Sequence, residues 1–247
     1  ENLPISFEEC GRICRQFFAG RSRKALFELG LQNGVTLAPV NTLSELLDMG
    51  HMAAREYWQE TTLPNGKKVK SAGLWAKPDA FEMAVLRNAP GLGEHSAEIK
   101  EQLQSTRKAS IELNIDNKLP FDGVKVADFA WVGVGPISAK YLADHGADVV
   151  RVESENRPDV LRGGVPMKDG EFGWNRSQFF GDFNTSKRSL TLNMKSEESI
   201  LLAKKLISNS DVFIESFAPG AVGRMGLGYE EVRKLNPGLI MISTCLM

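Results

Sequence analysis

The sequence predicts an α/β fold: a parallel sheet with helices on both faces, preceded by a mostly helical segment. Three observations carry it. From Leu119 onward, short apolar runs alternate with amphipathic stretches, the pattern of successive βαβ units. The stretch FAWVGVGPISAKYLADHGADVVRVES (129–154) reads as strand, glycine turn, helix, second strand and terminal acid, the layout of a dinucleotide-binding unit. Over residues 5–33, by contrast, apolar residues recur at spacings of three and four.

The elements follow in order. Residues 5–33 read as helical, with Phe7, Cys10, Cys14, Phe17 and Phe18 on one stripe and Ala25, Leu26 and Leu29 on a second. Ser6 and Glu9 form a capping-box pattern, and Gly34 closes the second helix. VTLAPV is extended. TLSELLDMGHMAAR starts a helix with Thr42 as N-cap and Glu45 three residues on, and Met49 and Met52 read as core material. Asn65-Gly66 between extended flanks predicts a hairpin. NAPGLGEHSAEIKEQL is a Pro/Gly-rich loop entering a polar helix, and residues 104–118 lack a period and read as a linker. Then come strand VKVADFA, helix PISAKYLADHG, strand ADVVRVE, a long charged and glycine-rich loop, strand SLTLNM, helix EESILLAKKLISN, strand DVFIESF, a helix through EEVRKLN and strand LIMIST. Right-handed crossovers place the loops after the strands along one sheet edge, where such folds bind ligands.

Composition narrows the function. A net charge of −1 supplies no basic field for nucleic acid or an anionic membrane, and no apolar run approaches a membrane span. Three cysteines, Cys10, Cys14 and Cys245, are an odd and sparse set that fits the reducing cytoplasm. Cys10 and Cys14 share a helix face without further ligands, so no metal site is expected. His51, His95 and His145 stand apart and form no triad. The chain opens ENLPISFEEC without Met and ends LIMISTCLM directly after an apolar strand, and so reads as a segment of a longer protein.

Three stretches could meet a ligand, each with a plain structural alternative. Gly133-Val134-Gly135-Pro136 opens a helix whose first amides point at one spot, which suits a diphosphate, although Ser138 stands where the dinucleotide fingerprint has its third glycine. The alternative is a tight βα turn. Asn184, Lys187 and Arg188 precede a strand and could hold phosphate or carboxylate, or simply form a solvated rim. Glu215-Ser216-Phe217, the Pro219-Gly220 turn and Arg224 could cradle an anion, or could be a turn with a structural arginine.

Together LPFDGVKVADFAWVGVGPISAKYLADHGADVVRVES, NTSKRSLTLNMK and DVFIESFAPGAVGRMGLGYEEVRKLNPGLIMIS resemble the amino-terminal half of the class III CoA-transferases (CaiB/BaiF type, typified by formyl-CoA transferase), over essentially all of residues 119–247. GLQNGVTLAPVNTLSELLDMGHMAAREYWQE and NAPGLGEHSAEIKEQL resemble that family's small-domain and closing motifs. The resemblance implies a carboxy-terminal part in residues 1–103, a linker over 104–118 and a Rossmann-like, CoA-binding amino-terminal half in 119–247, as at the junction of a tandem protein; a circular permutation is the lesser alternative. It implies a homodimer or a pseudo-dimer of tandem halves, interlocked as family members are, and no tightly bound cofactor. It likewise implies CoA or acyl-CoA as the substrate, with a carboxylic acid as acceptor.

Position by position, the resemblance assigns CoA contacts to Val132, Gly133, Val134, Leu192, Ser216, Phe217, Ala221 and Arg224. Glu153 thereby loses the ribose role its spacing first implied and becomes a strand end. The family's nucleophile is an aspartate that attacks the acyl-CoA thioester to give a mixed anhydride and CoA thiolate; the thiolate returns to form an aspartyl-CoA thioester, and the incoming acid takes CoA through a second anhydride. That aspartate belongs downstream of Met247, so no catalytic residue is assigned here and the chain alone is expected to be inactive. An acyl-CoA racemase of the same family and a non-catalytic CoA-binding or dimerising half are the alternatives, with an NAD oxidoreductase behind them. Three departures stand out: Ser154 where some members have a nucleotide-facing arginine, Ser216 for a common asparagine, and Cys245-Leu246 for a lysine or glycine. The first leaves Arg151 or Arg157 to supply the cation.

Overall fold

The computed structural model describes residues 5–63, 65–74, 76–83, 89–104 and 119–244. The predicted linker, except residue 104, and Cys245-Leu246 lie outside the described residues. The chain divides into two compact units, Glu1–Lys108 and Ala109–Met247, each described by itself.

In the first unit, α1 (Phe7–Ala19) and α2 (Arg23–Asn33) are separated at Gly20–Ser22, and each starts on a serine whose hydroxyl accepts an amide three residues on. The capping box expected at Ser6 is only half formed, because Glu9 turns to Arg12 at 2.6 Å. Gly34 ends α2 at φ 64°, a left-handed conformation that glycine takes without steric cost. The helix expected after Thr42 is two short ones, α3 (Leu43–Leu47) and α4 (Gly50–Ala54), and there the capping box is complete. β1 (Trp58–Thr62) and β2 (Lys68–Ala72) form the antiparallel hairpin, Trp58 opposite Ala72, with Gly66 at φ 80° in the turn. α5 (Ser96–Gln102) follows the Pro/Gly-rich loop.

Among the described residues of this unit only Gly30 is buried. Met49 and Met52 are half-buried rather than core, and Phe7 is 91% exposed. The helices of this unit are thus marked by their caps, with exposed ion pairs such as Arg23–Glu45 at 2.6 Å adding little.

The second unit is the parallel sheet. Its strands are β3 (Lys125–Phe129), β4 (Asp148–Glu153), β5 (Arg188–Thr191), β6 (Val212–Glu215) and β7 (Ile240–Ser243), in the order β5-β4-β3-β6-β7. Its helices are α6 (Val134–Asp144), α7 (Gln178–Phe183), α8 (Glu197–Ser208), α9 (Ala221–Arg224) and α10 (Tyr229–Leu235). The chain runs outward from β3 to one edge, returns to β6 and continues to the other edge, so the topology switches between β3 and β6.

Strand alternation sends Ala127, Phe129, Val152 and Phe213 to one face, where they pack with Ala203 and Ile207 of α8, Val222 of α9 and Val232 of α10. Phe129 and Phe213 meet edge to face at 5.3 Å; each fully buried ring contributes about 1.5–3 kcal/mol. Val126, Val149, Val212 and Ile214 face α6 through Ala139 and Ala143. The long loop after β4 is more ordered than expected: it holds two short 3-10 turns and α7, which the residues SQFFGDF form on the N-cap Ser177.

Gly135 sets how closely α6 approaches β3, since a Cβ there would fall 2.3 Å from the Cβ of Ala130. Gly135→Ala should therefore cost about 1–3 kcal/mol in urea unfolding through overpacking; an unchanged midpoint would show that α6 has room to move.

Candidate functional site

At the switch point, β3 runs into the turn Ala130–Gly133 and β6 into Ser216–Gly220. Side chains hold five consecutive polar groups of the first turn. Asp128 Oδ1 accepts the Ala130 amide at 3.0 Å, and Arg151 Nη1 donates to the Ala130 carbonyl at 2.8 Å. The Ser216 hydroxyl accepts the Trp131 amide at 2.7 Å and donates to the Trp131 carbonyl at 3.3 Å, tying the two turns together. Asp159 Oδ2 accepts the Val132 amide at 3.1 Å. The next amides, Gly133 to Gly135, lie at the cap and first turn of α6, which intrahelical bonding leaves without partners.

Val132 adopts φ 68°. A β-branched residue there is a genuine outlier, at a cost of about 1–2 kcal/mol. Val132 is 47% exposed and Val134, the first residue of α6, is 69% exposed, so two apolar residues stand open at the helix start.

Beneath the turn lies a buried ionic cluster. Asp128 and Arg151 are partners in the β3–β4 register, and Glu153 shares their sheet face two residues on. Arg151, 2% exposed, contacts Asp128 and Glu153 at 3.5 Å each and bonds Asp159. Lys187 Nζ donates to Asp128 (2.8 Å), the Pro136 carbonyl (2.9 Å) and Asn184 (2.9 Å), which uses all three of its protons. Arg162 grips Glu153 bidentately at 2.9 and 2.7 Å, and its guanidinium lies 3.7 Å from the centre of the Phe180 ring on α7. Three carboxylates thus balance three cations. Burial is the largest influence on Asp128 and Lys187, pushing the carboxyl up and the ammonium down, while each partner pulls the other back. Burial also pushes Glu153 up, but Arg162, the Asp159 amide and Arg151 outweigh it, and Glu153 titrates below its ordinary 4.5.

The structure decides several sequence alternatives. Lys187 is neither a phosphate ligand nor a solvated rim but a saturated buried cation, and Arg188 pairs bidentately with Asp148 at 2.8 and 2.6 Å. Arg151 is committed to the cluster and cannot replace the missing cation. Arg157 is exposed, with its guanidinium 5.7 Å from the Trp131 ring. Ser138 donates to the Val134 carbonyl at 2.8 Å inside α6.

Of the residues assigned to CoA, Val132 and Gly133 lie on the β3 turn and Val134 is the first residue of α6, while Ser216 and Phe217 lie on the β6 turn that Ser216 binds to it. Ala221 and Arg224 sit on α9 just beyond, with Arg224 exposed. Leu192 is 5% exposed and packs in the core with Phe129 and Ala203, in the cluster that Phe217 also packs against, so its side chain lines no open surface. Asp128 and Asp159 were missed as site-shaping residues. A charge inside VADFA facing one inside VVRVE was the available signal, since parallel strands otherwise read as apolar runs. Among the described residues no group of acids, histidines and cysteines could hold a metal, and no helix is long and apolar enough to cross a membrane.

A parallel sheet in this order, with its strand turns meeting at a switch point, is that of the doubly wound, Rossmann-like class of α/β folds. Within that class the chain belongs to CoA-transferase family III, whose family model matches residues 6–96 and 121–245. It is 34% identical over 141 residues to an acyl-CoA transferase of Fusarium pseudograminearum (55% of this chain, 31% of that one). It is 39% identical over 125 residues to a formyl-CoA:oxalate CoA-transferase of Afipia carboxidovorans (49% and 28%), and 35% identical over 129 residues to a succinyl-CoA:glutarate CoA-transferase of Mus musculus (52% and 28%). A crystal structure of a CAIB/BAIF family protein from Brucella suis shares 36% identity over 51% of this chain and 33% of that one, at a TM-score of 0.47. The chain thus spans only 28% to 31% of the length of these curated relatives.

Two measurements test the cluster. Lys187→Met leaves Asp128 short of its nearest cation and should cost about 3–5 kcal/mol in denaturant unfolding, with Asp128→Asn/Lys187→Met recovering most of it; a loss below about 1 kcal/mol would contradict the pairing. Because Glu153 titrates lower when folded, its contribution is complete above pH 4.5 and is lost as pH falls through the folded value. Glu153→Gln should thus lower stability at pH 7 and flatten its decline below pH 4.5, whereas an unaltered acid limb would assign that decline to other carboxyls.

Proposed function

We propose that this chain supplies the CoA-binding sheet of a CoA-transferase, whose full reaction moves CoA from an acyl-CoA thioester to a free carboxylic acid. The observation that carries the reading is the bound β3 turn at the sheet's switch point in a chain of this family. Aliphatic Val132 and Val134 suit the flanks of adenine or pantetheine, and the α6 amides suit a diphosphate. Arg224 and Arg157 are exposed, and neither forms an ion pair with a carboxylate among the described residues, so both are available to phosphate. Ser216 acts through the Trp131 peptide, and Leu192 contributes by packing beneath the site.

The carboxylate relay implied by the family needs a nucleophilic aspartate, and we assign it to no residue of this chain. Asp128, Glu153 and Asp159 are already committed to cations. A pseudo-dimer of tandem halves and a cytoplasmic location accord with this reading. NAD is disfavoured on chemical grounds: the acid that would meet its ribose, Glu153, is 6% exposed and held by Arg162.

Calorimetry on the chain should give CoA binding that NAD does not match. Arg224→Ala and Arg157→Ala should each weaken CoA about tenfold, a typical worth for a charge-assisted contact, without moving the thermal midpoint. Tight NAD binding with no response to CoA would sink the proposal, and an unchanged affinity would remove that arginine from the site.

A further inference from the structure

Val132 presents a contradiction that folding alone does not resolve. Of the described non-glycine residues at positive φ (Glu56, Val132, Asp169 and Ser186), it is the one with a β-branched side chain. A glycine would take that conformation freely. A valine that is 47% exposed gains little from burial in return. The strain persists because the surroundings over-determine it.

Asp159 is fully buried, and both its oxygens are engaged: Oδ1 accepts the Leu161 amide at 2.9 Å, and Oδ2 accepts the Val132 amide at 3.1 Å together with Arg151. Glu153 Oε1 fixes the Asp159 backbone by accepting its amide at 3.2 Å. Arg151 closes the circuit by holding the Ala130 carbonyl two residues before Val132 at 2.8 Å. The carboxylate that holds the strained amide is therefore aimed by the same guanidinium that holds the start of the turn.

We infer that Asp159 and Arg151 are positioning residues for ligand binding: they keep Val132 left-handed, so that the turn presents its side chain and the following α6 amides to CoA before CoA arrives. The inference rests on the CoA reading of the switch point. Neither residue touches ligand. Both act through the backbone of residues 130–132, lowering the ordering cost of binding.

The test is a double-mutant cycle read by CoA calorimetry on the full chain, with thermal unfolding recorded for each variant. Asp159→Asn should weaken CoA about tenfold when residue 132 is valine, since it loses a charge-assisted bond to a strained amide. In the Val132→Gly background the same change should cost less than about threefold, because glycine needs no restraint to reach this φ. Equal losses in both backgrounds, or none in either, would overturn the inference. Should Asp159→Asn fail to fold, amide exchange of the unmutated chain decides: the Val132 amide should be protected without CoA, and exchange at the free-peptide rate would overturn the inference. If the unmutated chain fails to bind CoA, the functional reading falls and takes the ligand half of this inference with it. Protection at Val132 would then still report whether the turn is held.

Discussion

A guanidinium in the middle of a parallel sheet constrains everything around it. Arg151 lies on β4, between β3 and β5, at 2% exposure. Removing such an ion from water costs several kcal/mol unless partners and hydrogen bonds replace the solvent. Asp128 arrives by strand register, Glu153 by strand alternation, and Asp159 by the loop that folds back over the sheet edge. Lys187 and Arg162 then balance the surplus carboxylates. Each partner commits a stretch of chain: Asp159 the loop after β4, Lys187 the entrance of β5, Arg162 the segment reaching Trp174 and Asn175. The cluster thus organises the sheet's carboxyl edge in a way that apolar packing, which is non-directional, would not.

The same cluster explains why a dinucleotide-like layout here need not serve a dinucleotide. In the nicotinamide fingerprint the acid after the second strand stays free for a ribose, whereas here it is bound to Arg162. The helix entrance carries exposed Val134 and buried Pro136, whose carbonyl is taken by Lys187. What remains open at the switch point is aliphatic surface, a few helix-start amides and exposed arginines. A ligand with a long apolar arm and phosphates matches that inventory.

Much of this was legible in the sequence, for identifiable reasons. The strands were readable because their apolar runs are bounded by turn residues, and Thr42, Gly34 and Asn65-Gly66 each mark a local geometry that their own chemistry dictates. Failures occurred where the deciding partner is distant or the element has no core face. Lys187 reads as a surface cation because Asp128 lies 59 positions away. α7 is short, and its Phe180 stacks on Arg162 instead of entering the apolar core, so no hydrophobic period announced it. Met49 and Met52 carry the right spacing but gain no full burial within their unit. Of the candidate site, the two turns were readable as motifs, but the strain at Val132 was not, since backbone sign is invisible in residue identity.

CoA is proposed to seat on the switch-point turns of the sheet. Titrating CoA into the isotopically labelled chain and following backbone amide resonances tests it most directly. The account predicts the largest shifts at Gly133, Val134 and Gly135 and from Phe217 to Arg224, with Lys187 and Leu192 little affected. Shifts confined to other strand ends, or to residues 5–104, would contradict it.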